Sequence, residues 1–304
     1  MEILWKTENL KKIYYTKSEL GILEKSEVLR GIYLEIYKGE TLGVVGESGC
    51  GKTTLGKILI KLIEPSFGKI FYKGKEITGI PERELRVIRN EFQIIFQDPY
   101  KSLNPRVTAG STVIEGIKSS NKKEKLKRAK ELLEMVGISK EKFNCFPHQF
   151  SGGEKQRISI ARALSTEPEF IVCDEPTSNL DISIQAQILN LFIELKEKFS
   201  LTYLFISHDL KVIELVSDRI AVMYKGKIIE IGYSNQIIEN PIHPYTQLLI
   251  SSSFYRKKDI VSMEEKSKFC DYAENCPYIK EICKKEIPTL KEIEKGHFVS
   301  CFNY

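Results

Sequence analysis

The run Gly46-Glu47-Ser48-Gly49-Cys50-Gly51-Lys52-Thr53 carries the spacing G-x-x-x-x-G-K-[ST]. Chain of this type binds phosphate. Its glycines let successive backbone N–H groups curl into a concave anion site, and a following helix points its positive end at the same place. Lys52 would reach the β- and γ-phosphates of a nucleoside triphosphate, and Thr53 would offer its hydroxyl to Mg²⁺. A second candidate is Ser151-Gly152-Gly153-Glu154. Its S-x-x-E spacing is that of a capping box, which starts a helix. Two glycines in a first turn cost chain entropy, and close approach of backbone to a phosphate is one reason to accept that cost. A third is Asp174-Glu175, directly after the apolar run Phe170–Cys173. Asp174 suits Mg²⁺ through its water shell, and Glu175 suits the orientation or deprotonation of an attacking water.

His208 follows the apolar run Leu201–Ser207, as Gln97 follows Glu91–Phe96. Ligands of open α/β sheets collect beyond the carboxyl ends of strands, so His208 reads as a sensor of the γ-phosphate. Tyr14 and Tyr15 precede the polar insertion. An aromatic just outside a nucleotide site can stack on a base; strand-packing tyrosines are the other reading.

The tail holds Cys270, Cys276, Cys283 and Cys301 in the pattern C-x5-C-P-x5-C-x17-C, with Cys50, Cys145 and Cys173 scattered earlier. In a reducing compartment such a cluster points to metal rather than disulfides. Four thiolates can hold a tetrahedral Zn²⁺ or an iron–sulfur cluster. The spacing is wider than in short zinc motifs, which disfavours zinc; free thiols are the third reading, and His297 could replace a ligand.

These residues need elements to hold them. Thr41–Val45 reads as the strand before the phosphate loop, and Lys52–Ile63 as the helix after it. Residues 3–10 and 32–37 read as strands separated by a polar loop, Lys17 to Glu27. Lys73-Gly74-Lys75 and Lys225-Gly226-Lys227 read as hairpin turns. Pro81 opens a helix. Residues 98–110 read as a flexible connection, and residues 111–137 as helix. Ile184–Phe199 is amphipathic, and Ser234–Glu239 reads as a short helix. The Lys-rich face of residues 122–130 is a solvated helix surface rather than a nucleic-acid site.

The chain is long enough for one large α/β domain with an appendage, at 304 residues. A net charge of +5 from 46 basic and 41 acidic residues does not argue for nucleic acid. No stretch approaches the roughly 20 apolar residues of a membrane span, and the N-terminus lacks a signal-peptide core. The expected location is therefore cytoplasmic, with any membrane role arising through partners.

Gly46–Thr53, Gln97, Ser151–Gln156, Asp174–Glu175, Ser178–Asp181 and His208 occur in the order and spacing of an ATP-binding cassette ATPase. The resemblance covers about residues 1–253. It implies an α/β phosphate-loop fold with a mixed sheet core, an antiparallel β subdomain, and a helical subdomain over about residues 98–165. Residues 254–304 would form a C-terminal extension. It implies ATP and Mg²⁺ as ligands, with Tyr14 on the adenine and residues Gly46 to Thr54 (Thr54 included) on the phosphates. Gln97 would touch the metal site and link it to a membrane partner. Ser151, Gly152 and Gly153 would contact ATP held by an opposing subunit, and Asp181 belongs to the loop crossing that interface. Lys52, Glu175 and His208 are the catalytic set. Glu154 stands where the family often has glutamine, and Asn179 where alanine is usual.

Residues 97–99, 102–106 and 240–246 also resemble the dipeptide/oligopeptide/nickel importer branch. That branch implies two integral-membrane permeases, a second ATPase subunit (like or unlike this one) and an extracytoplasmic substrate-binding protein, with this chain on the cytoplasmic face of the membrane. Some tails of the branch carry a four-iron four-sulfur cluster. Peptide is the expected cargo and nickel the alternative. A soluble cassette ATPase is the rival from another class, and such proteins usually carry a long coiled coil or two cassettes in one chain.

Overall fold

A computed structural model describes residues 2–17, 23–254 and 269–304. Two compact units divide the chain: residues 1–79 with 206–304, and residues 80–205.

The first unit begins with two long strands, β1 (Ile3–Lys17) and β2 (Leu23–Tyr37), paired antiparallel. Most of the expected polar loop is therefore strand: Tyr14 pairs with Ser26 and Thr16 with Glu24. Side chains from Leu23 to Glu27 are all exposed, so no apolar alternation marks this part of the ladder. Residues 18–22 of the expected loop lie outside the described residues.

Next come β3 (Thr41–Val45), all five residues buried, and α1 (Lys52–Leu59). The helix ends earlier than its apolar pattern predicts. Lys61 takes a left-handed conformation (φ 56°) and Leu62 N–H turns back to the Lys57 carbonyl at 2.9 Å. The hairpin of β4 (Phe67–Tyr72) and β5 (Lys75–Glu76) turns at Lys73-Gly74 as expected, both residues having positive φ. These strands form an antiparallel sheet in the order β2-β1-β4-β5.

The second unit opens with α2 (Glu82–Ile88), started by Pro81, and β6 (Phe92–Ile95). The expected flexible connection contains a short helix, α3 (Pro99–Ser102), and the start of α4 (Ala109–Ile114). The expected single helix over 111–137 is two, α4 and α5 (Lys122–Met135). Gly116, just past α4, disfavours continuing the helix, and a polar cap starts the next. A Cβ at Gly116 would stand 1.9 Å from Ser165 Oγ, and Asn121 caps a new helix by accepting from Lys123 N–H at 2.9 Å. Then follow α6 (Gly152–Leu164), β7 (Phe170–Asp174), α7 (Ile182–Phe199) and β8 (Thr202–Ile206). Strands β6 and β7 pair in parallel, Phe92 opposite Phe170 and Ile95 opposite Cys173. Both β7 and β8 are buried throughout, as strands covered on two faces must be.

The chain then returns to the first unit with α8 (Leu210–Val216), the hairpin β9 (Arg219–Tyr224) and β10 (Lys227–Tyr233), α9 (Ser234–Glu239) and α10 (Pro244–Phe254). Strand β9 pairs in parallel with β3, Leu42 opposite Arg219 and Val45 opposite Val222. Within the tail, β11 (Lys291–Glu294) and β12 (His297–Val299) form a hairpin, and β12 pairs with β10. This unit's second sheet thus runs β11-β12-β10-β9-β3. Among the described residues no helix is long and apolar enough to cross a membrane.

Candidate functional site

The phosphate loop spans the end of β3 and the start of α1. Gly51 is the N-cap of α1 in a left-handed conformation (φ 106°), and no side chain caps that helix. This is the arrangement of an anion-binding helix start. Gly46 and Gly51 are required by space as well as by φ. A Cβ at Gly46 would lie 2.2 Å from the Met223 carbonyl oxygen, and one at Gly51 2.9 Å from the Val28 carbonyl oxygen.

Lys52 is buried, and its ammonium donates to the Gly46 carbonyl at 2.7 Å and the Glu47 carbonyl at 3.0 Å. It also lies 3.9 Å from Cys50 Sγ. Burial pushes the Cys50 thiol up, with the Lys52 charge pulling partly the other way. Thr53 and Thr54 occupy the first turn of α1. His208 belongs to the same unit. Ser207 N–H donates to the Val44 carbonyl at 3.2 Å, which sets His208 at the end of β3 from which the phosphate loop departs. Tyr14 sits on β1, 38% exposed, with Lys12 Nζ 5.0 Å from its ring centroid. Tyr15 is 66% exposed, so neither tyrosine is buried as a strand-packing residue would be.

In the second unit β7 ends at the buried Asp174, and the chain turns at once. Glu175 has φ 49°, a left-handed conformation for a non-glycine residue. Such a backbone costs about 1–3 kcal/mol and is found where surrounding contacts hold it. Here Ser178 supplies them, donating from N–H (3.3 Å) and Oγ (3.1 Å) to the Glu175 carbonyl. Gln97 Nε2 donates to the Glu175 carboxylate at 3.0 Å, and Asn179 Nδ2 donates to the Gln97 carbonyl at 3.4 Å. The structure thus brings together Gln97, Glu175 and the Ser178–Asp181 loop. No feature of the sequence announces the strained backbone of Glu175.

The Ser151 capping box is present in full. Ser151 Oγ accepts from Glu154 N–H at 3.3 Å, and the Glu154 carboxylate accepts from Ser151 N–H at 3.0 Å. Lys142 also donates to Glu154, and that hydrogen bond holds its carboxyl below the ordinary glutamate range. Gly153 has a reason of its own within this unit. A Cβ there would meet Ile184 Cγ2 at 2.5 Å, so the first turn of α6 packs directly on α7. Asp181 caps α7, accepting from Ile184 N–H at 3.0 Å.

The tail cysteines are all free thiols. Cys270 is close enough to Cys276, Cys283 and Cys301 for their charges to raise its thiol, although burial is the larger cause. Cys270 N–H donates to the Cys283 carbonyl at 3.2 Å. Among the described residues, no group of three or more His, Cys, Asp or Glu side chains could hold a metal ion. His297 is not a substitute ligand. It is buried on β12, and its Nε2 lies 2.8 Å from the buried Glu230 carboxylate. Glu230 also accepts from the N–H groups of Ile242 (2.8 Å) and His243 (2.9 Å). Burial pushes His243 down to about 4, with Glu230 acting against the shift.

A strand, a glycine-rich turn and a helix whose lysine is held over that turn define a phosphate-loop nucleotide-binding protein. The comparisons narrow the class. Residues 29–178 match the family "ABC transporter", and residues 229–283 match "Oligopeptide/dipeptide transporter, C-terminal region". The oligopeptide transport ATP-binding protein AppF of Bacillus subtilis (strain 168) is 44% identical, over 100% of this chain and 98% of its own length. OppF of the same strain is 46% identical over 88% of this chain and 87% of its own. A putative peptide import ATP-binding protein of Brucella ovis is 41% identical over 98% of this chain and 97% of its own. Among solved structures, the ATP-binding cassette MJ0796, dimeric and bound to ADP and Pi, matches with a TM-score of 0.66 at 29% identity, over 76% of this chain and 99% of that one. The cbiO1 protein of Clostridium perfringens matches with a TM-score of 0.68 at 27% identity, over 79% of this chain and 92% of that one. The chain belongs to the ABC transporter family, as an ATP-binding, ATP-hydrolysing cassette.

Sequence reasoning left two residues without a role, Tyr245 and Asp271. Tyr245 was visible within Asn240–Thr246, but its contact is set by the fold.

Proposed function

We propose that this chain powers a peptide importer from the cytoplasmic face of a membrane. The carrying observation is the presence in one chain of a cassette phosphate loop and, at residues 229–283, the C-terminal region of oligopeptide/dipeptide transporters. The full-length likeness to AppF supports the same cargo. Two permeases, a second ATPase subunit and a substrate-binding protein complete the assembly.

Each site residue then has a task. Lys52 leaves its two carbonyls for the β- and γ-phosphates, where Gly46, Glu47, Ser48, Gly49, Cys50, Gly51 and Thr54 frame the anion. Thr53 supplies a hydroxyl to Mg²⁺, and Asp174 and Gln97 serve the same ion, partly through water; its charge would neutralise the phosphoryl oxygens. Glu175 takes the proton of the attacking water or orients it. Gln97, bonded to Glu175, gives the membrane partner a line to that carboxylate. His208 senses the γ-phosphate and Tyr14 stacks on adenine. Ser151, Gly152, Gly153 and Asp181 act across the interface with the second ATPase subunit. ATP favours the closed pair and hydrolysis releases it.

Cargo is tested by deleting the gene and measuring uptake of labelled peptides and of nickel. Peptide uptake should fail and return with the unaltered gene but not with Glu175→Gln. Loss of nickel uptake with peptide uptake intact sinks the reading.

We also assign a four-iron four-sulfur cluster to Cys270, Cys276, Cys283 and Cys301. What supports it is the cysteine pattern of the tail, with Cys270 near enough to the other three for their charges to act on its thiol. The cysteine spacing along the chain is wider than in short zinc motifs, which disfavours tetrahedral zinc. Such a cluster would hold the tail together through its four thiolates. Protein purified without air should contain iron and acid-labile sulfide in equal amounts, and both should vanish in Cys276→Ser. Stoichiometric zinc, or no metal, overturns the assignment.

A further inference from the structure

The nucleotide-site roles above make no use of Tyr245, yet its hydroxyl touches the phosphate loop. Tyr245 is 2% exposed, and its Oη accepts from the N–H of Glu47 at 3.1 Å. The same peptide group, Gly46–Glu47, offers its carbonyl to Lys52 Nζ at 2.7 Å. Because a peptide group is planar, Tyr245 grips one edge and Lys52 the other. Rotation of that peptide would move the lysine's resting acceptor.

We propose that Tyr245 is a positioning residue of the phosphate loop, and that the tail residues Asp271 and Tyr272 hold the loop's supports in place, so that the seating of the tail sets nucleotide affinity.

Two routes lead from the tail to the loop. The first is aromatic. Tyr272 packs against Tyr245 (ring centroids 5.7 Å apart, 70° between planes), against Tyr224 (5.5 Å, 86°) and against His243 (5.6 Å, 58°). Tyr224 in turn lies 4.6 Å from Tyr245. All four side chains are buried, and edge-to-face contacts of this kind fix ring orientation. Tyr245 is also fixed through its backbone. Its N–H donates to His243 Nδ1 at 3.0 Å, and the His243 N–H is held by Glu230 at 2.9 Å.

The second route is ionic. The Asp271 carboxylate meets Arg30 of β2 and Lys227 of β10 (2.7 Å for Lys227), and the Asp271 carbonyl accepts from Lys225 Nζ at 3.5 Å. Lys225 and Gly226 form the β9–β10 turn. Gly226 N–H donates to the Cys50 carbonyl at 3.1 Å, and its own carbonyl accepts from Arg30 N–H at 2.9 Å. The tail therefore bears on the loop at Glu47 through a tyrosine and at Cys50 through a turn, on either side of Ser48-Gly49. Asp271 adjoins Cys270, and Tyr272 follows it.

The test uses the full chain, with amide exchange followed at Glu47 and Mg·ATP titrated directly. Tyr245→Phe keeps the ring and removes the hydroxyl. It should speed exchange at Glu47 and weaken ATP binding about 3–10-fold, the range of one hydrogen bond. Asp271→Asn should move both readouts the same way, and Asp271→Glu should restore them. Lys52→Ala, which removes a phosphate contact itself, separates failure of the nucleotide site from failure of its supports. Tyr245→Phe with unchanged Glu47 exchange and affinity overturns the proposal. So does Asp271→Asn with Glu47 exchange unaltered, or a uniform rise in exchange across the first unit, which would be a folding defect.

Discussion

Replacing Glu175 by glutamine should lower ATP turnover by about 10²–10⁴-fold, the usual contribution of a positioned general base, while ATP still binds. The substitution isolates chemistry from structure. Glutamine has the shape of glutamate, so the φ of 49° and the two Ser178 hydrogen bonds to the residue 175 carbonyl are untouched. The contact from Gln97 Nε2 at 3.0 Å survives too, since a side-chain amide oxygen still accepts. What disappears is a carboxylate able to take a proton. The measurement is a pair: steady-state phosphate release, and ATP affinity by direct titration. Turnover within a factor of two of the unaltered protein would remove Glu175 from the role of base, and affinity lost together with turnover would show damage to the strand end.

Lys52→Ala should give the opposite pattern, with ATP affinity falling on the order of 10²-fold or more. The ammonium is buried, and it donates to two neutral carbonyls, those of Gly46 and Glu47. Phosphate oxygens are stronger acceptors, and each charge-assisted hydrogen bond contributes about 1.5–3 kcal/mol. Two such bonds account for the expected loss. ATP affinity within threefold of the unaltered chain would assign the phosphate grip elsewhere.

How much of this could be read from the sequence depended on whether the information was local. The phosphate loop, the Ser151 capping box and the carboxylates after Phe170–Cys173 are each written in contiguous residues, and each takes the expected local form. The close approach of Ser165 to Gly116 was hidden because the two lie about fifty residues apart. The β1–β2 ladder was hidden because its outer residues are exposed on both faces and show no alternation. The sequence offers only a phosphate as a reason for Gly153, because Ile184, which packs against it, lies about thirty residues away. Tyr245 is the clearest case. The residue lies within a family marker, but its hydroxyl bonds an N–H nearly two hundred residues earlier, and no periodicity or spacing encodes that pairing.

The β12–β10 pairing has one more consequence, for solubility. A sheet that stopped at β10 would present an open row of backbone donors and acceptors, a template for another chain. Here the tail hairpin covers that row, and the new outermost strand is short and bears Lys291, Glu292 and Glu294. Short charged edges resist further strand addition. The last residues of the chain thus act as a guard against self-association, and a version ending before Lys291 would expose β10 and leave the buried Glu230 without the His297 ring.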